Sequence, residues 1–437
     1  MVTEIQGMIR TEKENRCPKE PPSILFVLPE AFHNGWMGST RRLFHFAGAF
    51  RELGFNVGLL AGKMTNPEIQ SIIDRQFPGL VFRSEHTGSY PRAIDVSARH
   101  RRAWRGLWKL RGADYYAARL SYGWGSALDV DSVIKQFGDK SFSPDLLWGM
   151  CGGYLAGGVA ADRLAKRLKL PWILDMHDPP RGCGLDHERI VICAEYRQLL
   201  RSASRIVVLS DSYQRRLVGH FHLDPQNVEV IHICFEDKLQ NKGESEWISP
   251  WNIVYAGSLS EGRSLNPLVC GFSAALNRQP LMAATSFIYI AGEGSSIVET
   301  RKLAEGIGII NNIRILGLIP KDKVYELVQS AGVLVAVQTE SRSLFEVPGK
   351  IYEYMSYGKP IIGIMPPKCE AASILRRSGL GFVHSESDID GIADTLFRLW
   401  IDWSAKRTSV ERDHDYISQF SASSLPDRLR SILRGVV

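Results

Sequence analysis

Lys350 and Glu353 stand three residues apart in the segment EVPGKIYEYMSYGKPII, and their side chains could bind a ligand that carries phosphate and hydroxyl groups. The Pro348–Gly349 pair interrupts the preceding structure, so we predict a short helix that begins at Lys350. The unpaired N–H groups and the positive dipole end of a helix start favour phosphate. Because residues three apart share a helix face, Glu353 could accept hydrogen bonds from two neighbouring ribose hydroxyls. An ordinary helix with a surface Lys–Glu pair is the simpler alternative.

Three glycine-containing turns follow predicted strands elsewhere in the chain. Gly38 lies in HNGWMGST, Gly257 lies in YAGSLSEGR and Gly292 lies in AGEGS. Glycine lets a ligand approach the backbone closely, and the N–H groups of the first turn could meet an anion. That turn does not match GxGxxG, so we do not expect a dinucleotide there. Arg263 could form paired hydrogen bonds with a diphosphate, although a lone arginine is also an ordinary surface charge.

The elements that must position these residues alternate between strand and helix. ILFVLPE is typical of a buried strand, an apolar stripe from Leu43 to Leu53 predicts a helix, and FNVGLLAG predicts the second strand. The alternation continues, and it restarts after the polar segment of residues 236–250. Such βαβ units build parallel sheets, so we predict an α/β protein with two Rossmann-like domains and with ligands beyond the carboxyl ends of the strands. The further predicted strands are DLLWGM, PWILDMHD, RIVVLS and VEVIHI, then NIVYAGSL, FIYIAGEG, IRILGLI, GVLVAVQ, KPIIGIM and GFVHS.

These patterns divide the chain into four parts. Residues 1–21 are polar and predict a flexible tail, and residues 22–245 predict the first Rossmann-like domain. Residues 246–400 predict the second Rossmann-like domain, and residues 401–437 predict a helical C-terminal segment.

The segment VPGKIYEYMSYGKPII resembles the donor-site signature of retaining glycosyltransferases of family 4, which have the GT-B fold. A glycine turn and helix at residues 35–54, the strand that ends in His177 and Asp178, and the segments YAGSLSEGR, AGEGS and ILGLIP occur in that family's order. The resemblance covers about residues 22–400. It implies an acceptor domain and a nucleotide-sugar donor domain that face a central cleft. It also implies that residues 401–437 pack back toward the first domain.

The resemblance implies roles for individual residues. Glu353 would bind the ribose hydroxyls, Arg263 would bind the diphosphate, and Lys350 would join it because of its charge. His177 ends a strand where ligands bind in this architecture, although a packed or capping histidine is an open alternative. The implied set comprises catalytic Arg263, Lys350 and His177, donor-binding Gly257, Arg263, Gly292, Lys350, Glu353 and Glu346, and acceptor-binding Gly38, His177 and Asp178.

The chain departs from the family's pattern near the predicted donor site. The family usually has two glutamates eight positions apart, but the position eight before Glu353 is Phe345, and Glu346 follows one place later. Ser258 occupies a place where a basic residue could meet the diphosphate. These departures motivate an alternative in which the chain is a catalytically inactive GT-B subunit that binds a nucleotide sugar or a glycan.

We expect no metal and no cofactor other than a nucleotide-sugar co-substrate, UDP- or GDP-linked. The segment DVD at Asp129–Asp131 precedes the helical stretch VIKQF, so it predicts a helix start rather than a metal-binding DxD. The expected mechanism places the charges of Arg263 and Lys350 against the leaving diphosphate. The departing phosphate oxygen can take the acceptor proton, so no dedicated base is required.

A basic and aromatic segment lies in the first half of the chain, where residues 99–111 hold six basic side chains and no acidic one. Trp104, Arg105, Trp108 and Lys109 could contact an anionic membrane surface, because Trp suits the interface and basic residues are drawn to anionic headgroups. A core-facing helix with a basic rim is an open alternative. A third interpretation is a protein that binds an anionic polymer such as nucleic acid, but the modest net charge of +6 disfavours it.

The composition is that of a globular protein, with 44% hydrophobic and 23% charged residues, which excludes wholesale disorder. We see no signal peptide and no stretch suited to a transmembrane helix, and seven scattered cysteines indicate a reducing compartment. We therefore expect a cytoplasmic, metal-independent hexosyltransferase of polysaccharide biosynthesis. It would be peripheral on the inner face of the cell membrane and would act on a lipid-linked or polysaccharide acceptor.

Overall fold

The computed structural model describes residues 21–28, 38–62, 67–83, 128–152, 155–179, 194–237, 250–259, 262–407, 410–434 and 436. The chain divides into two compact units, with boundaries after His232 and after Ala422. The last residues of the chain therefore belong to the first unit.

Among the described residues, the first unit is built on a sheet of seven parallel strands, numbered along the chain and arranged in the order β3-β2-β1-β4-β5-β6-β7. Strands β1 and β5 are almost entirely buried, as expected of strands that are covered on both faces. The bounds are β1 Ser23–Val27, β2 Asn56–Ala61, β3 Val81–Arg83, β4 Leu146–Gly152, β5 Trp172–Asp178, β6 Arg205–Val208 and β7 Val228–Val230.

Helices connect these strands, and side-chain caps fix several helix starts. The Asp129 carboxylate accepts a hydrogen bond from the Ser132 N–H at 3.0 Å, which confirms the prediction that DVD begins a helix. The final helix, Leu425–Arg434, contacts the helix at Gly38–Glu52. The helices of this unit are α1 Gly38–Glu52, α2 Pro67–Gln76, α3 Val130–Asp139, α4 Ala156–Leu168, α5 Ala194–Ser202, α6 Asp211–Phe221 and the final Leu425–Arg434.

In the described part of the second unit, six parallel strands form one sheet in the order β10-β9-β8-β11-β12-β13. Separate clusters of buried apolar side chains cover its two faces. Two parallel sheets with helices between their strands confirm the predicted α/β class and the two Rossmann-like domains. The strands are β8 Trp251–Ala256, β9 Ser286–Ala291, β10 Ile313–Gly317, β11 Val333–Val337, β12 Ile361–Ile364 and β13 Gly381–His384.

The helices of the second unit complete both layers. Helix α11 begins directly after Pro348, where the Pro–Gly pair predicted a helix start. The helices are α7 Asn266–Arg278, α8 Pro280–Thr285, α9 Ser296–Gly306, α10 Lys321–Gln329, α11 Gly349–Ser356, α12 Glu370–Arg377, α13 Ile389–Ser404 and α14 His414–Ser418, and the final helix Leu425–Arg434 becomes α15.

The boundary after the first unit falls at residue 232 rather than at the predicted residue 245. The reason lies in pairing with a distant part of the chain. Phe235 donates its N–H to the Phe420 carbonyl and accepts from the Ala422 N–H, both at 3.0 Å. These bonds attach the residues after His232 to the second unit. Most of the polar segment that suggested a linker, residues 238–249, lies outside the described residues.

Candidate functional site

Three neighbouring strands of the second unit end in glycine-containing turns that touch one another. The Gly257 N–H donates to the Ala291 carbonyl, and the Gly292 N–H donates to the Gly317 carbonyl, both at 2.8 Å. Gly257 and Gly292 each have a φ of 145°, which side-chain-bearing residues rarely adopt. A β-carbon on Gly292 would overlap the backbone of Gly257. Glycine is therefore required for the close packing of these two turns.

A cavity of about 400 Å³ opens at these strand ends. Leu318 stands at this cavity with 72% of its surface exposed, which is unusual for a large apolar side chain. Gly257 and Gly292 were donor-binding candidates from the sequence, whereas Leu318 was not. The lining residues are Ala256, Gly257, Ser258, Ala291, Gly292, Glu293, Leu318, Ile319 and Val324.

Lys350 projects from the first turn of α11 toward the end of β8. Its Nζ lies 3.9 Å from the centre of the Tyr255 ring, and a β-carbon on Gly257 would overlap this nitrogen. Burial, together with the smaller effect of the positive charge of Arg263, lowers the pKa of Lys350 to about 7 against the opposing negative charge of Glu353. Lys350, Arg263 and Glu353 are thus brought together around the Gly257 turn.

Two tyrosines hold α11 and the end of β8 in place. The Tyr354 hydroxyl accepts from the Ala256 N–H at 3.1 Å, and the Tyr255 hydroxyl donates to the Ser258 carbonyl at 2.7 Å. Burial raises the pKa of Tyr255 to about 12, so its hydroxyl remains a neutral donor near neutral pH. Tyr255 was not a candidate from the sequence, because a tyrosine in an apolar strand is also typical of a core residue.

Arg263 is paired with Glu346. Its Nη2 lies 3.2 Å from Glu346 Oε1, and Glu346 also accepts from Arg342 Nε at 2.7 Å and from Arg342 Nη2 at 2.6 Å. The structure therefore brings Glu346 to the other donor-site candidates, whereas Phe345 beside it is buried in the core. Arg342 had no signal in the sequence beyond its charge.

His177, a candidate residue of the first unit, belongs to a buried charge network. His177 is 6% exposed, and its Nε2 lies 3.3 Å from Oδ2 of the fully buried Asp175. Arg42 donates to the same carboxylate at 3.0 Å, and the Trp148 indole donates to it at 3.1 Å. Burial alone would raise the pKa of Asp175, but Arg42 and His177 bring it well below the usual range. Asp175 therefore remains ionised.

The network fixes the end of the sequence-predicted strand PWILDMHD. Arg42 also donates to the Ile231 carbonyl at 2.9 Å, so it joins three parts of the first unit. Asp178 is the last residue of β5 and is partly exposed, and Gly38 is the first residue of α1. Arg42 and Asp175 were not singled out from the sequence. The available signal was a charged residue on the apolar face of a predicted helix and another in a predicted buried strand.

The predicted membrane-contact residues lie outside the described residues. These residues are Trp104, Arg105, Trp108 and Lys109. Among the residues that the structure does describe, none of the helices has the length and apolar character needed to span a bilayer.

Two family models match the chain. Residues 37–234 match a glycosyl transferase 4-like domain, and residues 251–402 match glycosyl transferases group 1. The two matches follow one another along the chain and together span most of it. The chain belongs to the GT-B glycosyltransferases. No curated protein matches it.

Solved structures share the fold of this GT-B glycosyltransferase. A glycosyltransferase from Rickettsia africae ESF-5 has 11% identity and a TM-score of 0.63, covering 95% of this chain and 99% of its own. Anabaena HepE, solved with UDP and glucose, has 14% identity and a TM-score of 0.57, with coverages of 94% and 99%. WaaB, a lipopolysaccharide outer core galactosyltransferase, has 15% identity and a TM-score of 0.54, with coverages of 95% and 100%.

The candidate site residues of this GT-B glycosyltransferase fall into two groups. One group lies in the second unit around the ends of β8 and β9, and it comprises Gly257, Gly292, Arg263, Lys350, Glu353 and Glu346. The remaining candidates, Gly38, His177 and Asp178, lie in the first unit. Both groups lie at or near the carboxyl ends of parallel strands, where ligands bind in open α/β sheets.

Proposed function

We propose that this glycosyltransferase moves a sugar from a nucleoside diphosphate donor to an acceptor, with retention of configuration, as a member of family 4. The observation that carries the proposal is the convergence of Lys350, Arg263 and Glu353 on the Gly257 turn. Two basic groups beside a turn without side chains suit a diphosphate, because the phosphates can approach the backbone and the cations together. The chemistry of the neighbouring side chains suggests where each part of the donor and the acceptor would bind.

The donor would lie along the ends of β8, β9 and β10. Glu353 would accept hydrogen bonds from the ribose hydroxyls, and the cavity beside Gly292 would take the base. Leu318 offers an apolar surface against which a base can pack. UDP and GDP remain the expected carriers, and the presence of UDP in the HepE structure supports the first of them.

The reaction would break the bond between the sugar and its phosphate, with negative charge developing on the leaving diphosphate. Arg263, protonated Lys350 and the N-terminus of α11 would stabilise that charge. The acceptor hydroxyl would attack on the same face, and its proton would pass to the departing phosphate oxygen. The two side-chain cations supply the charge that a metal would otherwise supply, so the proposal includes no metal and no cofactor.

The acceptor would meet the first unit near Gly38, His177 and Asp178. A lipid-linked or polysaccharide acceptor at the cytoplasmic face of the membrane suits the basic and aromatic segment at residues 99–111. The lipopolysaccharide galactosyltransferase among the structural neighbours supports this class of acceptor. Flotation with anionic liposomes tests the membrane contact, and equal flotation after Trp104→Ala and Trp108→Ala would remove its basis.

A specific observation favours a second candidate, a subunit that binds a nucleotide sugar without turning it over. Phe345 is buried where the resembling family usually has a glutamate, and the Glu346 carboxylate already accepts from two arginines. Donor binding would then persist without catalysis. Binding of a nucleotide sugar together with its slow hydrolysis would support the enzyme, whereas binding alone would support this second candidate.

The test is a panel of UDP-, GDP- and ADP-sugars, scored by thermal shift and by hydrolysis. We expect one base to raise the melting temperature of the wild-type chain, and we expect Glu353→Gln to weaken that donor about 10- to 100-fold, because a charge-assisted pair of hydrogen bonds is lost. Glu340→Gln, an exposed glutamate of the same unit, is the matched control. Equal donor affinity in Glu353→Gln and wild type would show that the ribose is not held there.

A Gly257→Ala variant should bind the donor more weakly than wild type. The new methyl group overlaps Lys350 Nζ, and a φ of 145° strains any residue with a β-carbon. We expect the free energy of unfolding to fall by about 1–3 kcal/mol. Gly306→Ala is the control, because a β-carbon on Gly306 meets open space. Melting curves and donor titrations measure both effects, and unchanged donor affinity would contradict the proposed approach of the phosphates to Gly257.

A further inference from the structure

The Glu346 carboxylate is held between two guanidinium groups. Arg342 binds it through paired contacts, from Nε to Oε1 at 2.7 Å and from Nη2 to Oε2 at 2.6 Å. Arg263 adds a single contact from Nη2 to Oε1 at 3.2 Å. Both carboxylate oxygens therefore accept hydrogen bonds from arginine.

The three side chains are withdrawn from solvent to different degrees. The exposed fractions are 12% for Glu346, 15% for Arg263 and 27% for Arg342. Ion pairs with so little exposure are screened less by water than surface pairs are, and a paired Arg–carboxylate contact also fixes the geometry. Arg342 thus orients Glu346, and Glu346 in turn holds the guanidinium of Arg263.

The main chain of Glu346 also makes hydrogen bonds through its carbonyl and its N–H. Gln338, fully buried just after β11, donates from Nε2 to the Glu346 carbonyl at 2.7 Å. The Glu346 N–H donates to the Arg342 carbonyl at 3.1 Å. The carboxylate therefore projects from a fixed backbone, which is what a residue needs in order to position another side chain.

Several charged groups gather around this carboxylate. Glu346 contacts two guanidinium groups, and Lys350 is close enough to Arg263 for their positive charges to interact. Without Glu346, two guanidinium groups and an ammonium group would repel one another across the site. Glu346 relieves this repulsion and keeps Arg263 beside Lys350.

We propose that Glu346 is a positioning residue, supported by Arg342, that orients Arg263 toward the diphosphate of the donor and does not bind the transferred sugar. This inference rests on the proposed function. A glutamate that serves as a sugar ligand must turn its oxygens toward sugar hydroxyls, whereas both oxygens of Glu346 face arginines.

A positioning residue and a sugar ligand would affect the affinities of different ligands. We would compare the matching nucleoside monophosphate, diphosphate and nucleotide sugar as titrants of the full-length chain. Glu346→Gln should reduce the preference for diphosphate over monophosphate by about tenfold, because Arg263 loses its partner, and it should leave the monophosphate affinity unchanged. A sugar ligand would instead leave that preference intact and weaken only the nucleotide sugar relative to the diphosphate.

An epistasis test separates positioning from a general loss of structure. In an Arg263→Ala background, Glu346→Gln should produce no further change in the preference for diphosphate, because the residue that it acts through is absent. Arg342→Gln keeps Glu346 itself and should reduce the same preference in the same direction by a smaller factor. Glu340→Gln removes an exposed carboxylate a few residues away and should change nothing.

The outcomes distinguish this inference from the proposed function. If the wild-type chain binds none of the nucleoside diphosphates of uridine, guanosine and adenosine, the proposed function and this inference fall together. If it binds one of them and Glu346→Gln keeps the full preference for diphosphate, or if Glu346→Gln and Arg263→Ala weaken binding additively, the positioning role alone is wrong.

Discussion

A Lys350→Met variant is expected to turn over the donor about 100 to 1,000 times more slowly than the wild-type chain. Methionine matches the apolar stem of lysine but lacks the ammonium group that lies beside Gly257 and over Tyr255. Charge that develops on a leaving diphosphate would then meet only Arg263 and the N-terminus of α11. The measurement is the rate of donor hydrolysis, or of transfer once an acceptor is known, with the responding nucleotide sugar.

The matched control for this variant is Lys368→Met, which removes an exposed lysine of the same unit. Its turnover should equal that of the wild type. A Lys350→Arg variant adds a second check, because it keeps the charge while the longer guanidinium must displace the packing on Tyr255. Turnover within about threefold of wild type in Lys350→Met would contradict the assignment of Lys350 to the diphosphate.

Donor affinity should fall as pH rises above about 7. Burial lowers the pKa of Lys350 to about 7 in the unliganded chain, and the negative charge of a bound diphosphate must raise it again. Binding therefore takes up a proton wherever the unliganded lysine is neutral. The dissociation constant should increase by up to about tenfold for each pH unit above 7, until the pKa of the liganded state is reached.

Calorimetry in two buffers of different ionisation enthalpy measures this proton uptake directly. At pH 8 we expect close to one proton per donor bound, and in Lys350→Met we expect about none. An intact nucleotide sugar is the right ligand, because its phosphates do not titrate in this range. Burial also lowers the pKa of Lys359 to about 8. Because both proteins contain Lys359, any proton that it exchanges cancels in the comparison. Equal proton uptake by both proteins would contradict the prediction.

The lowered pKa of Lys350 predicts that the stability of the unliganded protein changes with pH in the opposite direction to donor affinity. The Lys350 pKa of about 7 in the folded chain lies below the ordinary value of 10.5, so the unfolded chain binds more protons between those two pH values. The free energy of unfolding should therefore rise with pH across that window, relative to Lys350→Met. Donor affinity and intrinsic stability would then move in opposite directions above pH 7.

Much of the fold follows from local patterns in the sequence. Apolar runs such as ILFVLPE predicted β1, the Pro348–Gly349 pair predicted the start of α11, and Asp129 predicted the start of α3. These signals are local, because helix caps and buried strands depend on a few neighbouring residues. Lys350 and Glu353 share one short helix, so their proximity was predictable from spacing alone.

Contacts between distant residues decided the rest. Phe235 pairs with residues 420–422, and the unit boundary therefore falls after His232. The polar segment in the sequence had suggested a later boundary. Arg263 meets Glu346 across 83 positions, and Arg42 meets Asp175 across 133. Charge and residue type do not reveal such partners.

The sequence by itself determined the alternation of strands and helices, the two Rossmann-like domains and the Lys350–Glu353 pair. Only the tertiary structure decided that Glu346 faces two arginines and that Lys350 lies half-buried beside Gly257. The physical reason is that hydrogen-bond partners and desolvation depend on how distant segments pack together. Local periodicity carries no information on that packing.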